Sequence, residues 1–461
     1  MNTSKQTFYL SAILFFSSML LFCQQNKVKK QSTNPNIIII IADDLGWNDV
    51  GYNGSEIKTP NIDFLAKNGV QLNRFYVSPT CSPTRASLLT GRPASRMGIL
   101  APISDKSDLK LPDSVPTLPQ LLKKNGYETA LIGKWHLGLK LSSSPKAYGF
   151  DYSYGFLHGQ IDQYTHLYKN GDKSWYRNGE FIDEKGHTTD LVTNESLKWL
   201  SQIRNKKQNF YLQIAYSAPH FPLQEEEKWK TPYNKIAKDS SRRDFAAAMA
   251  HLDHSIGILL QDLKKQKLDE NTLIIFMSDN GAMENWDSRN EYGGIHRPNP
   301  TLGDNTPLRD WKTSNYEGAV RVPCVFYWKD HLKNYKNSDY ISVTDFLPTI
   351  LALTGNKKLP NTVEGKNVWK DISENKAIEN RTIYIRGHLQ ACLIQKPWKL
   401  VYTNKPKKQG EYYELFNIEK DPEEKNNAIS QNPDVAEKMK TEIQLQIKKD
   451  PAIQKESKSS E

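Results

Sequence analysis

Five consecutive isoleucines at residues 37–41 constrain the fold more than any other feature of this chain. A strand with one face in water alternates apolar and polar residues, whereas this run is apolar on both faces. Such a strand needs cover on both sides. Similar apolar runs recur at residues 128–132, 210–216 and 272–277. Together these runs predict a central, mostly parallel sheet.

The segments between the apolar runs have the periodicity of helices. Apolar residues at positions 245, 249, 252, 256, 259 and 263 recur every three or four residues, so they lie on one face of a helix. Strands that alternate with helices are typical of an α/β fold with helices on both sides of the sheet. We therefore predict an α/β main domain over residues 34–370.

The pattern changes after about residue 370. Short strand-like segments separated by turn residues follow at 382–385, 391–394, 398–402 and 412–416. They predict a smaller antiparallel sheet, and a charged amphipathic helix is predicted over 434–448. We assign residues 371–453 to this C-terminal subdomain and expect a disordered polar tail over 454–461.

The N-terminus has the features of a signal peptide. Lys5 precedes an apolar run over 8–22, which is shorter than the roughly 20 residues that a bilayer span needs. Cys23 follows directly and resembles a lipoprotein cleavage site, although Phe22 is larger than the residue usual before that cysteine. We expect a signal peptide over 1–23, a tether over 24–33, and export to the periplasm or to the cell surface, including the outer membrane, with or without a lipid on Cys23.

Charge and cysteine content leave alternatives open. The 461 residues include 62 Lys and Arg against 52 Asp and Glu, a net charge of +10. This excess either keeps the surface soluble or attracts polyanions such as nucleic acid, anionic lipid or sulfated glycan. Export would permit disulfides. Past Cys23 only Cys81, Cys324 and Cys392 remain, so at least one is unpaired, and the last two either pair or act as small buried apolar residues.

Polar side chains follow four of the predicted strands. In chain order they are Asp43 and Asp44, Lys134 and His136, His220, and Asp279 and Asn280. Each alone has an ordinary structural explanation, such as a turn or a helix cap. In open α/β sheets, however, ligands bind beyond the carboxyl ends of the strands. The carboxylate and amide oxygens favour a hard cation such as Ca²⁺ or Mg²⁺ over a structural zinc.

The stretch SPTCSPTR at residues 78–85 predicts the start of a helix after a strand over 74–78. Pro83 suits the first helical turn, where its missing N–H breaks no bond, and Gly91 ends the helix. Cys81 then lies at a helix N-terminus, where the helix dipole favours anions. Such a cysteine is either an activated nucleophile, with Arg85 one turn further on, or a buried structural thiol.

Several motifs together resemble the type I sulfatases, which depend on formylglycine. The motifs are CSPTRASLLTGR at 81–92, ADDLGWNDVG at 42–51, TPNIDFLAKNGV at 59–70, GYETALIGKWHLG at 126–138, MSDNGA at 277–282, PLRDWKTSNYEGAVRVP at 307–323 and YYELFNIEKDPEEKNNA at 412–428. The resemblance covers residues 34–430 and implies an alkaline-phosphatase-like sheet sandwiched by helices. The segment over 149–166 is most similar to arylsulfatase B, which points to bacterial polysaccharide sulfatases of that type.

The resemblance implies a sulfatase reaction and a role for each candidate residue. A maturation enzyme would oxidise Cys81 to formylglycine, whose hydrate attacks sulfur. One Ca²⁺ would be held by Asp43, Asp44, Asp279, Asn280 and the modified Cys81. The other implied site residues are Arg85, which steadies the hydrate, Lys134 and Lys312, which bind sulfate oxygens, His136, which takes a proton during sulfate release, and His220, which with Lys312 protonates the leaving oxygen.

The substrate implied is a sulfated carbohydrate, such as a fragment of ulvan, carrageenan or a chondroitin-type glycan. The family loop usually reads LRGGK, but here it reads LRDWK, and Trp311 either stacks on a sugar ring or packs in the loop. The remaining candidate substrate residues are Asp162, Tyr164, His166 and His296. We expect no nucleic-acid partner. Two alternatives stay open: a phosphodiester or phosphonate monoester hydrolase of the same superfamily, and a glycan-binding surface protein without catalysis.

Overall fold

The predicted sheet and its helices are present in the computed structural model, which describes residues 34–452 except 236–238, 288, 357, 377–380 and 406–409. The predicted signal peptide, tether and tail therefore lie outside the described residues. The strands are β1 (Asn36–Ala42), β2 (Val70–Leu72), β3 (Phe75–Tyr76), β4 (Glu128–Lys134), β5 (Tyr152–Phe156), β6 (Trp175–Arg177), β7 (Glu180–Phe181), β8 (Phe210–Ala215), β9 (Thr272–Ser278), β10 (Cys324–Tyr327), β11 (Tyr335–Asn337), β12 (Ile341–Ser342), β13 (Thr382–Arg386), β14 (Gln390–Gln395), β15 (Trp398–Lys405) and β16 (Gly410–Asn417). The α-helices are α1 (Pro60–Asn68), α2 (Cys81–Thr90), α3 (Leu118–Lys124), α4 (Thr188–Lys198), α5 (Glu227–Lys230), α6 (Ser240–Lys265), α7 (Glu317–Val320), α8 (Phe346–Leu353), α9 (Trp369–Glu374) and α10 (Pro433–Lys448).

The large sheet runs in the order β11-β2-β10-β9-β1-β8-β4-β5-β6-β7. Its centre is parallel: β1 pairs with β9 on one side and β8 on the other, and β4 pairs with β8 and β5. The edges are mixed, because β10 is antiparallel to β9 and β6 is antiparallel to β5. This arrangement confirms the predicted α/β class with its mostly parallel sheet.

The isoleucine run lies at the middle of this sheet and is buried on both faces. Ile37, Ile39 and Ile41 pack in one hydrophobic core with residues of α2, α3 and α8. Ile38 and Ile40 pack in a second core with residues of α1, α4 and α6. All five side chains are 0% exposed, which explains why the run shows no alternation.

The helix predicted from apolar residues 245–263 forms as α6. Asp239 caps it, accepting hydrogen bonds from Ser241 N at 2.7 Å and Arg242 N at 3.0 Å. The cap accepts from two backbone N–H groups of the first turn, which have no acceptor within the helix. By contrast, the strand predicted over 74–78 is much shorter: β3 has two residues, paired with β12. The residues beyond it turn away to begin α2.

The C-terminal sheet has the order β13-β14-β15-β16 and is antiparallel throughout, as predicted. One face packs against Ala436, Met439 and Ile443 of α10. The other face packs against a segment that includes Tyr316 and α7, next to the predicted sulfate-binding loop. The boundary at 370/371 between the two predicted domains stays a prediction.

Two further observations concern the cysteines and the helices of the described residues. Cys81, Cys324 and Cys392 are buried and free, so the last two do not pair and act as small buried apolar residues. Within the described ranges, no helix combines the length and apolar character that crossing a membrane requires.

Candidate active site

The predicted strand-end residues meet at the carboxyl edge of the parallel strands. Asp43 and Asp44 directly follow β1, and Asp279 and Asn280 directly follow its neighbour β9, with Ala42 and Ser278 paired in register. Lys134 is the last residue of β4. Asp44 N donates to Asp279 Oδ1 at 3.3 Å, so the two strand ends are in direct contact.

Three carboxylates at this edge each face a cationic side chain. Lys134 Nζ lies 2.6 Å from Asp43 Oδ2, and Lys312 Nζ lies 2.7 and 2.8 Å from the two oxygens of Asp44. Arg85 donates through Nη2 and Nε to Asp279 Oδ2 at 2.7 and 3.1 Å. The site is nearly closed to solvent, since Arg85 is 1% exposed and Lys134 is 0% exposed. Buried ions need such partners, because an unpaired buried charge is strongly destabilising.

The oxygen atoms of the site fit a hard divalent cation. Asp43 Oδ1 and Asn280 Oδ1 are buried and accept no hydrogen bond, although their partner atoms Asp43 Oδ2 and Asn280 Nδ2 are both bonded. Burial, together with the charges of Asp279 and Asp44, raises the pKa of Asp43 to about 7. A bound cation would restore the ionised carboxylate and occupy the unpaired oxygens.

Cys81 is the first residue of α2. Thr80 precedes it with extended backbone, and Gly91 ends the helix with φ +66°, as expected for a C-terminal glycine. Arg85 reaches from the next turn to donate to Lys134 O at 3.0 Å. Burial raises the pKa of the Cys81 thiol, so the unmodified side chain is a neutral thiol at pH 7. A thiolate nucleophile does not fit this environment.

His136 faces Cys81 with a defined tautomer. Its Nε2 lies 3.1 Å from Ile103 O, a carbonyl that can only accept, so the proton of the neutral ring is on Nε2. Its Nδ1 then presents a lone pair to Cys81 Sγ at 3.1 Å. Burial and the nearby Lys134 lower the pKa of His136 well below its usual value. The ring is therefore a neutral base aimed at side chain 81.

His220 also has one ring nitrogen at a backbone carbonyl, but here that nitrogen is Nδ1. Its Nδ1 lies 2.7 Å from Phe221 O, and its Nε2 lies 3.5 Å from Asp44 Oδ2. Burial and the charge of Lys312 lower the pKa of His220 to about 3. The resting ring is neutral, and an anion bound between it and Lys312 would raise its pKa.

Two residues at this edge have a strained backbone. Asp44 has φ +65° and His136 has φ +59°, a left-handed conformation that is uncommon outside glycine. Gly159 packs so closely on His136 that a Cβ there would lie 2.4 Å from Cε1 of the ring. Strained residues persist where surrounding contacts hold them, and they cluster at functional sites.

The five candidate substrate residues lie in different environments. Asp162 is buried and accepts from Thr165 N at 2.8 Å, from Gln224 Nε2 at 2.9 Å and from the backbone of Tyr164 at 3.0 Å. Its Oδ2 also lies 3.1 Å from His296 Nε2. These contacts make Asp162 a connector between loops.

The other candidates differ in exposure. His166 is buried, stacks on Trp175 at 4.5 Å and contacts Gly186 O at 3.0 Å. Tyr164 is 41% exposed, and Trp311 and His296 are half-buried, so these three rings are accessible from solvent. A role in substrate binding stays a prediction for all five residues.

Sequence reasoning missed residues that support the site. Ser82 donates to His136 O at 2.8 Å and accepts from Ile103 N at 3.1 Å. It therefore ties the backbone of His136 to that of Ile103, whose carbonyl contacts the ring. Trp286 stacks on Phe221 at 4.2 Å, beside His220. Ser82 lies inside the cysteine motif and could have been noticed there, whereas nothing in the sequence marks Trp286.

A second buried cluster consists of His187, Glu225 and His251. Glu225 Oε2 lies 2.7 Å from His251 Nδ1, and Glu225 Oε1 lies 3.4 Å from His187 Nε2. Thr189 N donates to His187 Nδ1 at 3.2 Å, so the proton of the neutral ring is on Nε2, facing the carboxylate. A metal at that nitrogen would need the proton removed. This tautomer places a proton, and no lone pair, between His187 and Glu225, so we assign no metal to the cluster.

Two protein-family models together match most of the chain. Residues 35–356 match the family described as Sulfatase, and residues 310–450 match the family described as N-sulphoglucosamine sulphohydrolase, C-terminal. Arylsulfatase J of Mus musculus is 34% identical over 74% of this chain and 56% of its own length, so the chain spans little more than half of that relative. N-acetylgalactosamine-6-sulfatase of Mus musculus is 30% identical over 77% of this chain and 69% of its own length.

A solved structure is similar over nearly the whole chain. Ps i-CgsB in complex with k-i-k-neocarrahexaose is 33% identical, with a TM-score of 0.81. The alignment covers 91% of this chain and 94% of that one. The similarity therefore includes the C-terminal sheet as well as the central one.

Proposed function

The chain belongs to the sulfatase family, and on that premise we propose that it hydrolyses sulfate esters of a carbohydrate, with Cys81 as the precursor of formylglycine. One observation carries the proposal: Cys81, at a helix N-terminus, lies among three carboxylates, three cations and two neutral histidines, all buried at one sheet edge. Oxidation of Cys81 by a maturation enzyme would supply an aldehyde whose hydrate carries the attacking hydroxyl.

The charge balance of the site favours an anionic substrate. Three carboxylates and three cations cancel, so a bound Ca²⁺ would leave the pocket positive. Asp43, Asp44, Asp279 and Asn280 would hold that ion. When bound, it would supply charge that stabilises an ionised hydroxyl and the sulfate oxygens.

The chain's own side chains would orient the sulfate and move the protons. Lys134 and Lys312 place ammonium groups where fixed charge in a dry pocket has its largest effect. Burial opposes the charge of Lys312, yet Asp44 outweighs it and raises the pKa of that lysine, so it carries a proton to share. His136, neutral with Nδ1 unprotonated, can accept a proton from side chain 81. His220, with Lys312, would deliver a proton to the leaving sugar oxygen.

We propose a sulfated polysaccharide fragment as the substrate, carrageenan-type first and chondroitin-type second. The first choice follows from the solved relative that was crystallised with k-i-k-neocarrahexaose, the second from the similarity to N-acetylgalactosamine-6-sulfatase. The exposed ring of Tyr164 and the half-buried ring of Trp311 offer apolar faces for a sugar ring. We further propose export, for which the predicted signal peptide is the support.

The test is a substrate panel on protein coexpressed with a maturation enzyme. Mass spectrometry of the Cys81 peptide should show the loss of sulfur expected for formylglycine. Carrageenan and chondroitin oligosaccharides, aryl sulfate and aryl phosphodiester are then compared by kcat/KM. A large preference for the phosphodiester would overturn the sulfatase proposal, and glycan binding by an unmodified thiol without turnover would favour a binding protein. EDTA should abolish activity, and added Ca²⁺ should restore it.

A further inference from the structure

The loop that carries Lys312 has a strained backbone. Residues 307–316 contain no helix or strand, and Asp310 and Thr313 on either side of Lys312 have φ values of +71° and +82°. Non-glycine residues hold this conformation only where neighbouring groups enforce it. The contacts that hold the loop therefore determine where the Lys312 ammonium lies.

On the active-site side, the loop is bound by main-chain hydrogen bonds. Lys312 N donates to Ala282 O at 3.0 Å, and Thr313 N donates to Pro79 O at 2.9 Å, just ahead of Cys81. These bonds join the loop to the segment after β9 and to the segment before α2. The residues that follow, up to the start of α7, need other contacts to hold them.

The C-terminal subdomain supplies those contacts through a cluster of three fully buried ionisable side chains. Lys399 of β15 places Nζ 3.0 Å from Glu317 Oε1 and 3.0 Å from Glu424 Oε1. Glu424 Oε2 accepts from Glu317 N, the first residue of α7, at 2.6 Å. All three side chains are 0% exposed. We name Lys399, Glu317 and Glu424 the ionic lock.

Further contacts from the C-terminal subdomain reach the loop on both sides of Lys312. Asn315 N donates to Gln390 Oε1 at 2.9 Å, and Arg309 Nη1 donates to Glu424 O at 3.0 Å. Arg309, three residues before the lysine, and Asn315, three residues after it, are thus tied to the C-terminal subdomain. The lock is the buried, charged part of that connection.

We propose that the ionic lock positions Lys312 for the sulfate group, so that the C-terminal sheet takes part in catalysis by holding the loop. The inference rests on the proposed function, in which Lys312 contacts the sulfate. A buried ion pair is weak evidence for stability, because apolar residues of similar volume often replace it without loss. Its directional contacts instead select one loop conformation, and an error of about 1 Å in a positioned group can lower a rate about 100-fold.

The test uses the double variant Lys399→Met/Glu424→Gln, which removes the lysine without leaving Glu424 charged. Glu317 keeps its contact with Arg321 at 3.5 Å and its hydrogen bond from Tyr76. We expect kcat/KM for aryl sulfate to fall roughly 10- to 100-fold. Most of the fall should be a rise in KM and in the inhibition constant of inorganic sulfate.

A thermodynamic cycle with Lys312→Ala separates positioning from a general structural role. If the lock acts through Lys312, the double variant should lower kcat/KM by less than about 2-fold in the Lys312→Ala background. Full additivity of the two losses would overturn the proposal. Lys396→Met is the matched control, because Lys396 lies beside the same strand and pairs with Glu419 at 3.6 Å in an exposed position. This substitution should leave KM and the inhibition constant of inorganic sulfate unchanged.

Hydrogen exchange gives a readout that does not depend on activity. Peptides covering 307–318 should exchange at least about 10-fold faster in the double variant, while those covering β1 and β9 stay unchanged. Unchanged exchange and unchanged KM would overturn the lock. Faster exchange in a protein that hydrolyses no sulfate ester would refute the proposed function and leave the lock as a loop anchor. Should the double variant not fold, Glu424→Gln alone keeps the Lys399–Glu317 pair and should show the same changes at about 3-fold.

Discussion

Replacing His251 should change how stability depends on pH. His251 of α6 is buried between two carboxylates, with Nδ1 2.7 Å from Glu225 and Nε2 3.0 Å from Asp190. Burial opposes its charge, but the hydrogen bonds to Asp190 and Glu225 outweigh burial and raise the pKa of His251 from 6.5 to about 9. Both ring nitrogens face acceptors, so the folded protein holds the imidazolium.

The magnitude follows from the pKa difference. One pKa unit corresponds to about 1.4 kcal/mol, so a rise from 6.5 to about 9 stabilises the folded state by about 3 kcal/mol. Because the folded pKa is the higher one, this stabilisation is complete below pH 6.5. It is lost as the pH rises through about 9.

The assay is urea unfolding of the wild type and His251→Gln at pH 6, 8 and 10, at one fixed calcium concentration. The difference in unfolding free energy between the two proteins should shrink by about 3 kcal/mol from pH 6 to pH 10, and titrating groups that do not interact with His251 cancel because both proteins contain them. The control His254→Gln, at an exposed position of the same helix, should follow the wild-type profile. A difference that stays constant from pH 6 to pH 10 would show that His251 is not held as an imidazolium.

Three further predictions concern the site and the core. Cys81→Ala should abolish aryl sulfate turnover while circular dichroism stays that of the wild type, since only a small buried thiol is removed; measurable turnover would exclude Cys81 as the nucleophile precursor. His220→Ala should lower kcat much more for a sulfated sugar than for nitrophenyl sulfate, because nitrophenolate hardly needs a proton, and equal losses would contradict the general-acid role. Ile39→Ala should lower the unfolding free energy by about 2–5 kcal/mol, because the side chain is 0% exposed at the sheet centre; a loss under about 1 kcal/mol would mean that the core refills the cavity.

Local sequence patterns were sufficient for the elements that build the site. The unalternating run at residues 37–41 indicated a strand with two covered faces, because burial on both sides removes the need for polar residues. The positions of Asp43 and Asp279 just after such strands indicated a common edge, since parallel strands end on the same side. The strand predicted over 74–78 was too long, because the chain leaves the sheet early to begin α2.

Several features of the candidate site depend on contacts that no local pattern encodes. The sequence does not show that Lys134 pairs with Asp43 while Lys312 pairs with Asp44. It does not show that the carbonyl of Ile103 fixes the tautomer of His136. Asp162, selected as a substrate residue, is occupied by contacts to neighbouring loops.

The sequence by itself determined the fold class, the strand ends and the family, because periodicity and short motifs record which residues are buried and which chemistry is present. Only the tertiary structure decided the pairing of charges, the proton positions on the histidines and the link from Lys399 to the Lys312 loop. Residues 317 and 399 are 82 positions apart, and their contact arises from the path of the folded chain. A buried charge selects its partner by distance in space, which spacing along the chain does not specify.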